Sequence, residues 1–186
     1  MKQTEKKGNG LKHPLPMRAL LGVYSYHQNN TERIARVIAG VLDAQIKTPQ
    51  QIHPEELQEY ALIGFGSGIY DGKHHESLLS LADQLIIVTN GKAFLFSTCG
   101  VPAFGMTEEV MAKNHSLLRE KLKSKGYLIV DEFSCVGHNT NSFLKLLGGI
   151  NKGRPNAEDL EHAKEFAQKL KQNIISASQE MLEKQP

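Results

Sequence analysis

Cysteine is scarce in this 186-residue chain: Cys99 and Cys135 are its only two, and neither belongs to a C-x-x-C pair. Two are too few for a disulfide scaffold, and they read as reduced thiols. Long apolar runs are missing too. None approaches the roughly 20 residues of a membrane span, and the first eighteen residues are too polar for the core of a signal peptide. A cytoplasmic protein with no membrane span is expected. Neither charge is in excess: 22 Lys and Arg stand against 20 Asp and Glu, scattered along the chain, which argues against a dedicated nucleic-acid surface. No Cys or third His stands at ligand spacing from the adjacent His74 and His75, so no metal site is expected.

What the chain does have is one alternation of apolar runs and amphipathic stretches, long enough for a single domain. Ala19–Tyr24 suits a buried strand, and Ile34, Val37, Ile38, Val41 and Leu42 follow at helical spacing. Ala44–Thr48 is a short strand candidate, and His53–Leu57 starts only a brief helix. Ala61–Phe65 is the second strong strand run, and His75–Leu85 reads as a helix. Leu85–Val88, Asn90-Gly91 and Ala93–Phe96 have the form of a hairpin. The preferred reading keeps only Lys92–Ser97 as a strand and packs Leu85–Val88 as an apolar tail, which preserves the alternation. Thr107–Lys125 is a helix with Val110, Met111, Leu117, Leu118 and Leu122 inward, stopped by Gly126. Tyr127–Phe133 is the last strand, and Asn156 caps a final helix carrying Leu160, Ala163, Phe166, Ala167, Leu170 and Ile174. Residues 1–17 read as a flexible arm, 18–175 as the domain and 176–186 as a frayed tail.

Five strands alternating with helices imply a parallel sheet covered on both faces, with ligands bound outside the carboxyl ends of the strands. Three polar loops gather at that edge. The first, Ser25–Thr31, ends at a helix start, where free N–H groups and the helix dipole favour a phosphate by roughly 1 kcal/mol. Taken alone, it fits an ordinary polar turn equally well. It carries neither G-x-x-x-x-G-K-[ST] nor G-x-G-x-x-G. The loop Gly66–Gly72 has glycines that let backbone approach a flat ligand, and Tyr70 as a stacking face. Ser97, Thr98, Cys99 and Gly100 form the third, with Phe104 beyond as a second possible ring. A planar aromatic ligand between the last two loops, with its phosphate in the first, fits this spacing. Cys99 and Cys135 end neighbouring strands and could approach one another.

These residues resemble the flavodoxin family. Tyr24-Ser25-Tyr26-His27-Gln28-Asn29-Asn30-Thr31 is similar to its phosphate loop, Phe65–His75 to the second loop of a bacterial flavodoxin-like branch, and Phe96–Gly100 to its third. Phe133–Gly137 and Gly148–Asn156 are similar to later landmarks, so the resemblance covers about Leu20 to Leu170. It implies a flavodoxin-like α/β three-layer sandwich with a five-stranded parallel sheet in the order 2-1-3-4-5, binding one FMN non-covalently. Carried over by position, the phosphate loop is Ser25, Tyr26, His27, Gln28, Asn29, Asn30 and Thr31. The ring falls beside Gly66, Ser67, Gly68, Ile69 and Tyr70, and beside Ser97, Thr98, Cys99 and Gly100. No catalytic residue is implied.

The function so implied is electron transfer to or from a redox partner, protein or small molecule, with an FMN-dependent NAD(P)H oxidoreductase acting on a quinone or other small acceptor as the alternative. A phosphoacceptor domain on the same fold is set aside, because Ser25 and Gly66 stand at strand ends where it needs a carboxylate. Asn29 replaces the family's loop glycine, and His138-Asn139-Thr140 replaces an often acidic segment. Lys73, His74 and His75 occupy a border that is acidic in electron-carrier flavodoxins, which implies a different partner.

Overall fold

The computed structural model describes residues 18–26, 28–140 and 149–183. In chain order its elements are β1 (Ala19–Tyr24), α1 (Asn30–Leu42), β2 (Gln45–Lys47), β3 (Leu62–Tyr70), β4 (Lys73–His74), α2 (Glu76–Gln84), β5 (Gly91–Cys99), α3 (Glu108–Ser124), β6 (Tyr127–Val136) and α4 (Ala157–Glu183). Five strands run parallel in the order β2-β1-β3-β5-β6. With the two-residue β4 set aside, this is the expected 2-1-3-4-5 topology. The chain leaves β1 for β2 on one side and returns to β3 on the other, so the switch in strand order falls between β1 and β3.

Strand side chains alternate between two cores. Leu21, Val23, Phe94 and Phe96 face Ile34, Ile38 and Leu42 of α1 and Ala163, Ala167 and Leu170 of α4. Leu20, Ile63, Phe65 and Leu95 face Leu78, Leu81 and Ala82 of α2 and Leu118 and Leu122 of α3. Gly64 and Gly66 are required on the first face because the outer ring atoms of Phe94 and Phe96 fill the space a side chain would need: a Cβ on Gly66 would stand 2.1 Å from Phe96. No helix among the described residues is long and apolar enough to cross a membrane.

Several elements differ from expectation. β3, β5 and β6 continue past their apolar runs to Tyr70, Cys99 and Val136, so Gly66–Tyr70 and Ser97–Cys99 are strand and not loop. The continuation is held by register: Ser67 pairs with Ser97, and Ser97 with Ser134. Asp71 and Gly72, both at positive φ (50° and 75°), close a hairpin in which Ile69 pairs with His74. The Asn90-Gly91 hairpin does not form, as the preferred reading has it. Leu85–Val88 is irregular, and the Val88 N–H donates to the Lys125 carbonyl at 2.9 Å.

On α3, Asn114 and His115 join Leu118 and Leu122 in the interior, whereas Leu117 is exposed and Val110 and Met111 are half-buried. Thr107 caps this helix by accepting the Val110 N–H at 3.2 Å, and Gly126, at φ 86°, ends it. At α4, Asn156 and Asp159 accept each other's backbone N–H groups, a reciprocal cap. The helix then continues to Glu183, past the boundary expected at residue 175. The expected arm, residues 1–17, lies outside the described residues.

Candidate functional site

At the β1/β3 switch a groove opens between the strand ends, about 450 Å³ with its solvent-facing mouth. Ser25, Tyr26, Asn30 and Thr31 line it from the β1–α1 turn; Gly68, Ile69 and Tyr70 from β3; Thr98, Cys99 and Gly100 from β5. Gly137, His138 and Asn139, just past β6, complete it. The role of this last segment was open in the sequence, although its position directly after an edge strand puts it at the same rim.

The turn before α1 is bent by two consecutive left-handed residues, Gln28 (φ 55°) and Asn29 (φ 52°). Asn29 thus adopts a left-handed conformation that glycine takes freely and asparagine tolerates, and its side chain makes no capping bond. Instead the Ser25 hydroxyl accepts the Glu32 N–H at 3.2 Å. The geometry of a helix start leaves the Asn30 and Thr31 N–H groups without a carbonyl one turn back. Neither Gln28 nor Asn29 lines the groove with its side chain; both are exposed and shape the backbone. His27 lies outside the described residues.

Amide side chains fasten the rim. Asn30 Nδ2 donates to the His138 carbonyl (2.9 Å) and Asn139 Nδ2 to the Gly100 carbonyl (3.3 Å), while Asn151 Nδ2 donates to the Val101 carbonyl (2.7 Å). In the floor, Thr31 and Thr98 share a hydroxyl–hydroxyl bond of 2.8 Å. The Tyr70 ring lies over Gly68, about 3.2 Å from where a Cβ would sit. Burial, with Tyr24 nearby, pushes the Tyr70 hydroxyl up. Tyr24 and His75 stack at 3.5 Å between centroids, nearly parallel. Phe104 is 91% exposed and borders no part of the groove, so it is not a second ring wall.

Three expected ligands, Gly66, Ser67 and Ser97, lie beneath the groove rather than in it. Gly66 is covered by Phe96, and both serines are fully buried in a polar layer on the α3 side. Ser67 Oγ contacts His74 Nδ1 (3.0 Å), donates to the Gly68 carbonyl (2.7 Å) and accepts the His75 N–H (3.0 Å). Ser97 Oγ lies 2.8 Å from His115 Nε2, whose Nδ1 faces Glu132 at 2.9 Å, and Arg119 holds Glu132 with two bonds of 2.5 and 2.8 Å. Ser–His–Glu is the order of a nucleophilic relay, but Ser97 and His115 are 0% exposed, which closes the arrangement to any substrate. Burial pushes the Glu132 carboxyl up, and the bonds from Arg119 and His115 outweigh it and hold it down at about 2.

The cysteines do not pair. Cys135 stands beside Thr98 in register, one position out of step with Cys99, so the two thiols face opposite sides of the sheet. Cys99 Sγ accepts from Asn114 Nδ2 at 3.8 Å, and burial together with Asp159 raises the Cys135 thiol to about 12. Among the described residues no three His, Cys, Asp or Glu converge as metal ligands.

A parallel α/β domain with a groove at its switch point is a doubly wound arrangement, in which ligands bind outside the carboxyl ends of the strands. Within it, a flavodoxin-domain family model matches residues 23–137, and this chain belongs to the flavodoxin family. It is 46% identical over 157 residues, 84% of this chain and all of the relative, to an uncharacterized protein of Methanocaldococcus jannaschii. Solved structures share the fold at low identity. A flavodoxin from the domain Archaea has a TM-score of 0.58 at 16% identity, covering 85% of this chain and 99% of that one. Oxidised flavodoxin 2 from Bacillus cereus has a TM-score of 0.59 at 20% identity, covering 81% and 94%.

The residues present fit the flavin that this family typically binds. The first turn offers N–H groups to an anion, Gly68 and Gly100 lie at the strand ends without side chains, and Tyr70 supplies an aromatic face.

Proposed function

We propose that this chain binds FMN in the groove and passes electrons to or from a redox partner. The observation that carries the reading is the convergence of the α1 start with the ends of β3 and β5 on one groove. Ser25, Asn30 and Thr31 would hold the phosphate by hydroxyl, amide and helix-start N–H groups. Gly68, Tyr70, Cys99 and Gly100 would border the isoalloxazine, with Tyr70 excluding water from one face. FMN supplies the redox chemistry, accepting and releasing electrons. The protein's part is to orient it and to set the polarity around it.

Purified protein should be yellow, with a flavin spectrum that bleaches with dithionite and returns in air. Colourless protein that fails to take up FMN at micromolar concentration refutes the reading. Steady NADH or NADPH oxidation by the isolated protein with a quinone would instead establish the oxidoreductase alternative.

A further inference from the structure

Three aromatic side chains, Tyr24, Tyr70 and His75, meet beside the groove, and of these only Tyr70 lines it. Standing at the end of β3, Tyr70 covers Gly68, with its hydroxyl and outer ring carbons 3.2–3.3 Å from where a Cβ would sit. Its backbone is held by a short ladder, since the β3–β4 hairpin has two paired positions, Ile69 with His74 and Tyr70 with Lys73. A ladder of that length holds a strand end weakly. Side chains supply the rest: the rings of Tyr24 and His75 stack with centroids 3.5 Å apart and planes 7° apart, and Tyr70 stands edge-on to this pair, 5.2 Å from His75 and 6.5 Å from Tyr24. Aromatic contacts of that geometry are attractive.

The protonation state of His75 is fixed by a donor that cannot change role. His75 is the N-cap of α2, and its Nδ1 accepts the Ser77 backbone N–H at 3.1 Å. Nδ1 is therefore bare and the ring hydrogen sits on Nε2. A proton on Nδ1 would leave the Ser77 N–H without its acceptor and set a cation at a helix start, where the dipole disfavours it. The Ser77 hydroxyl, 2.9 Å from Nδ1, and the face of Tyr24 can each receive that hydrogen or charge, but neither replaces the lost acceptor. The titratable groups on the elements around the ring are Tyr24 on β1, Tyr70 on β3, Lys73 and His74 on β4 and Glu76 on α2. Glu76 favours the charged form, and burial outweighs it and holds His75 below the usual histidine range. The backbone N–H of His75 donates to Ser67 Oγ at 3.0 Å whichever form the ring takes. Protonation therefore displaces the ring and not the chain.

We infer that His75 is a positioning residue for the flavin-facing wall: as a neutral N-cap stacked on Tyr24 it holds the Tyr70 ring in place, and its protonation releases that ring and weakens the hold on the flavin. His75 lines no part of the groove and acts through Tyr70. The inference rests on the flavin reading above.

The test compares wild type with His75→Phe, which keeps a ring against Tyr24 and cannot titrate, from about pH 8 to 5. In apo protein the Tyr70 ring-proton signals in NMR should move with the midpoint of the His75 imidazole signals and should stay fixed in His75→Phe. Tyr70 itself does not titrate in this range, its hydroxyl being pushed up. Tyr70 signals that ignore the His75 titration overturn the positioning role. In a second arm FMN affinity is measured by flavin fluorescence quenching over the same range. The FMN phosphate titrates near about pH 6 in both proteins, so the readout is the difference between them. Wild type should lose about tenfold more affinity than His75→Phe, within the usual size of coupling between two sites. Equal losses in the two proteins overturn the link to the flavin. A protein that never binds FMN overturns both the flavin reading and that link, and the apo spectra still decide the contact of His75 with Tyr70. If His75→Phe does not fold, His75→Asn takes its place, since asparagine keeps a cap acceptor for the Ser77 N–H and does not titrate.

Discussion

Thr31 Oγ1 and Thr98 Oγ1 lie 2.8 Å apart, both residues buried, and this one bond joins the start of α1 to the end of β5 under the groove. Removing one hydroxyl leaves the other buried without a partner, whereas removing both leaves two apolar groups of unchanged shape. Thr31→Val and Thr98→Val should each cost about 1–2 kcal/mol in urea denaturation, and the double variant less than their sum. A double-mutant cycle showing simple additivity would remove the bond from the account of the groove floor.

Gly66 is a packing residue in the same sense. Its missing Cβ is the space occupied by the Phe96 ring, 2.1 Å from where the carbon would stand. Gly66→Ala should destabilise by about 3 kcal/mol, at the upper end of overpacking. Adding Phe96→Leu should recover part of the loss, read as a rise in thermal midpoint of the double variant over the single.

Acid should weaken the fold in two stages. His74 is held neutral, chiefly by burial, with its folded value below that of the unfolded chain. The unfolded state therefore binds more protons as pH falls through about 6.5, and stability drops there. Glu132 is held at about 2 against an ordinary value of 4.5, so a contribution on the order of 3 kcal/mol is present above pH 4.5 and disappears between 4.5 and 2. Urea midpoints between pH 8 and 3 should show both steps. His74→Gln should remove the upper one, and Glu132→Gln should lower stability at pH 7 while flattening the lower one.

The strands and the α1 face could be read from the chain because apolar runs and helical spacing carry them: Leu21, Phe65 and Phe94 announce strands, and Ile34, Ile38 and Leu42 announce α1, whereas the order of the strands came from the family resemblance. The strand ends could not be read so directly. Ser67, Ser97 and Ser134 look like loop residues in isolation and become strand only through cross-strand register. Two turn dipeptides show the same dependence on context: Asp71-Gly72 makes a hairpin, whereas Asn90-Gly91 does not, since Val88 is bonded to Lys125 instead. His115 and Asn114 were invisible as interior residues because each is satisfied by groups distant in sequence, Glu132 with Ser97 and Cys99 respectively.

The two thiols should be inert and independent. Cys135 is buried, with its thiol raised to about 12, and Cys99 is buried on the opposite face of the sheet. Since the thiolate is the reactive species, native protein should react with a disulfide reagent far more slowly than protein unfolded in guanidinium. Cys99→Ser and Cys135→Ser should give no change in oxidised mobility on non-reducing gels, because there is no bridge to lose.

Asn29 is where the first loop departs from its family, and its backbone at φ 52° is the conformation that glycine adopts freely and asparagine tolerates. Asn29→Gly removes the steric cost but adds freedom to the unfolded chain, two effects of about 0.4–1 kcal/mol and opposite sign. Stability and FMN affinity should stay within about threefold of wild type. Asn29→Val places a β-branched side chain at positive φ, at a cost of about 1–2 kcal/mol. Part of that cost can be escaped only by opening the turn that presents the Asn30 and Thr31 N–H groups. FMN affinity, measured by flavin fluorescence quenching, should therefore fall about tenfold in Asn29→Val. An equal loss in Asn29→Gly would show that the asparagine side chain, not the bend it permits, is what the phosphate loop needs.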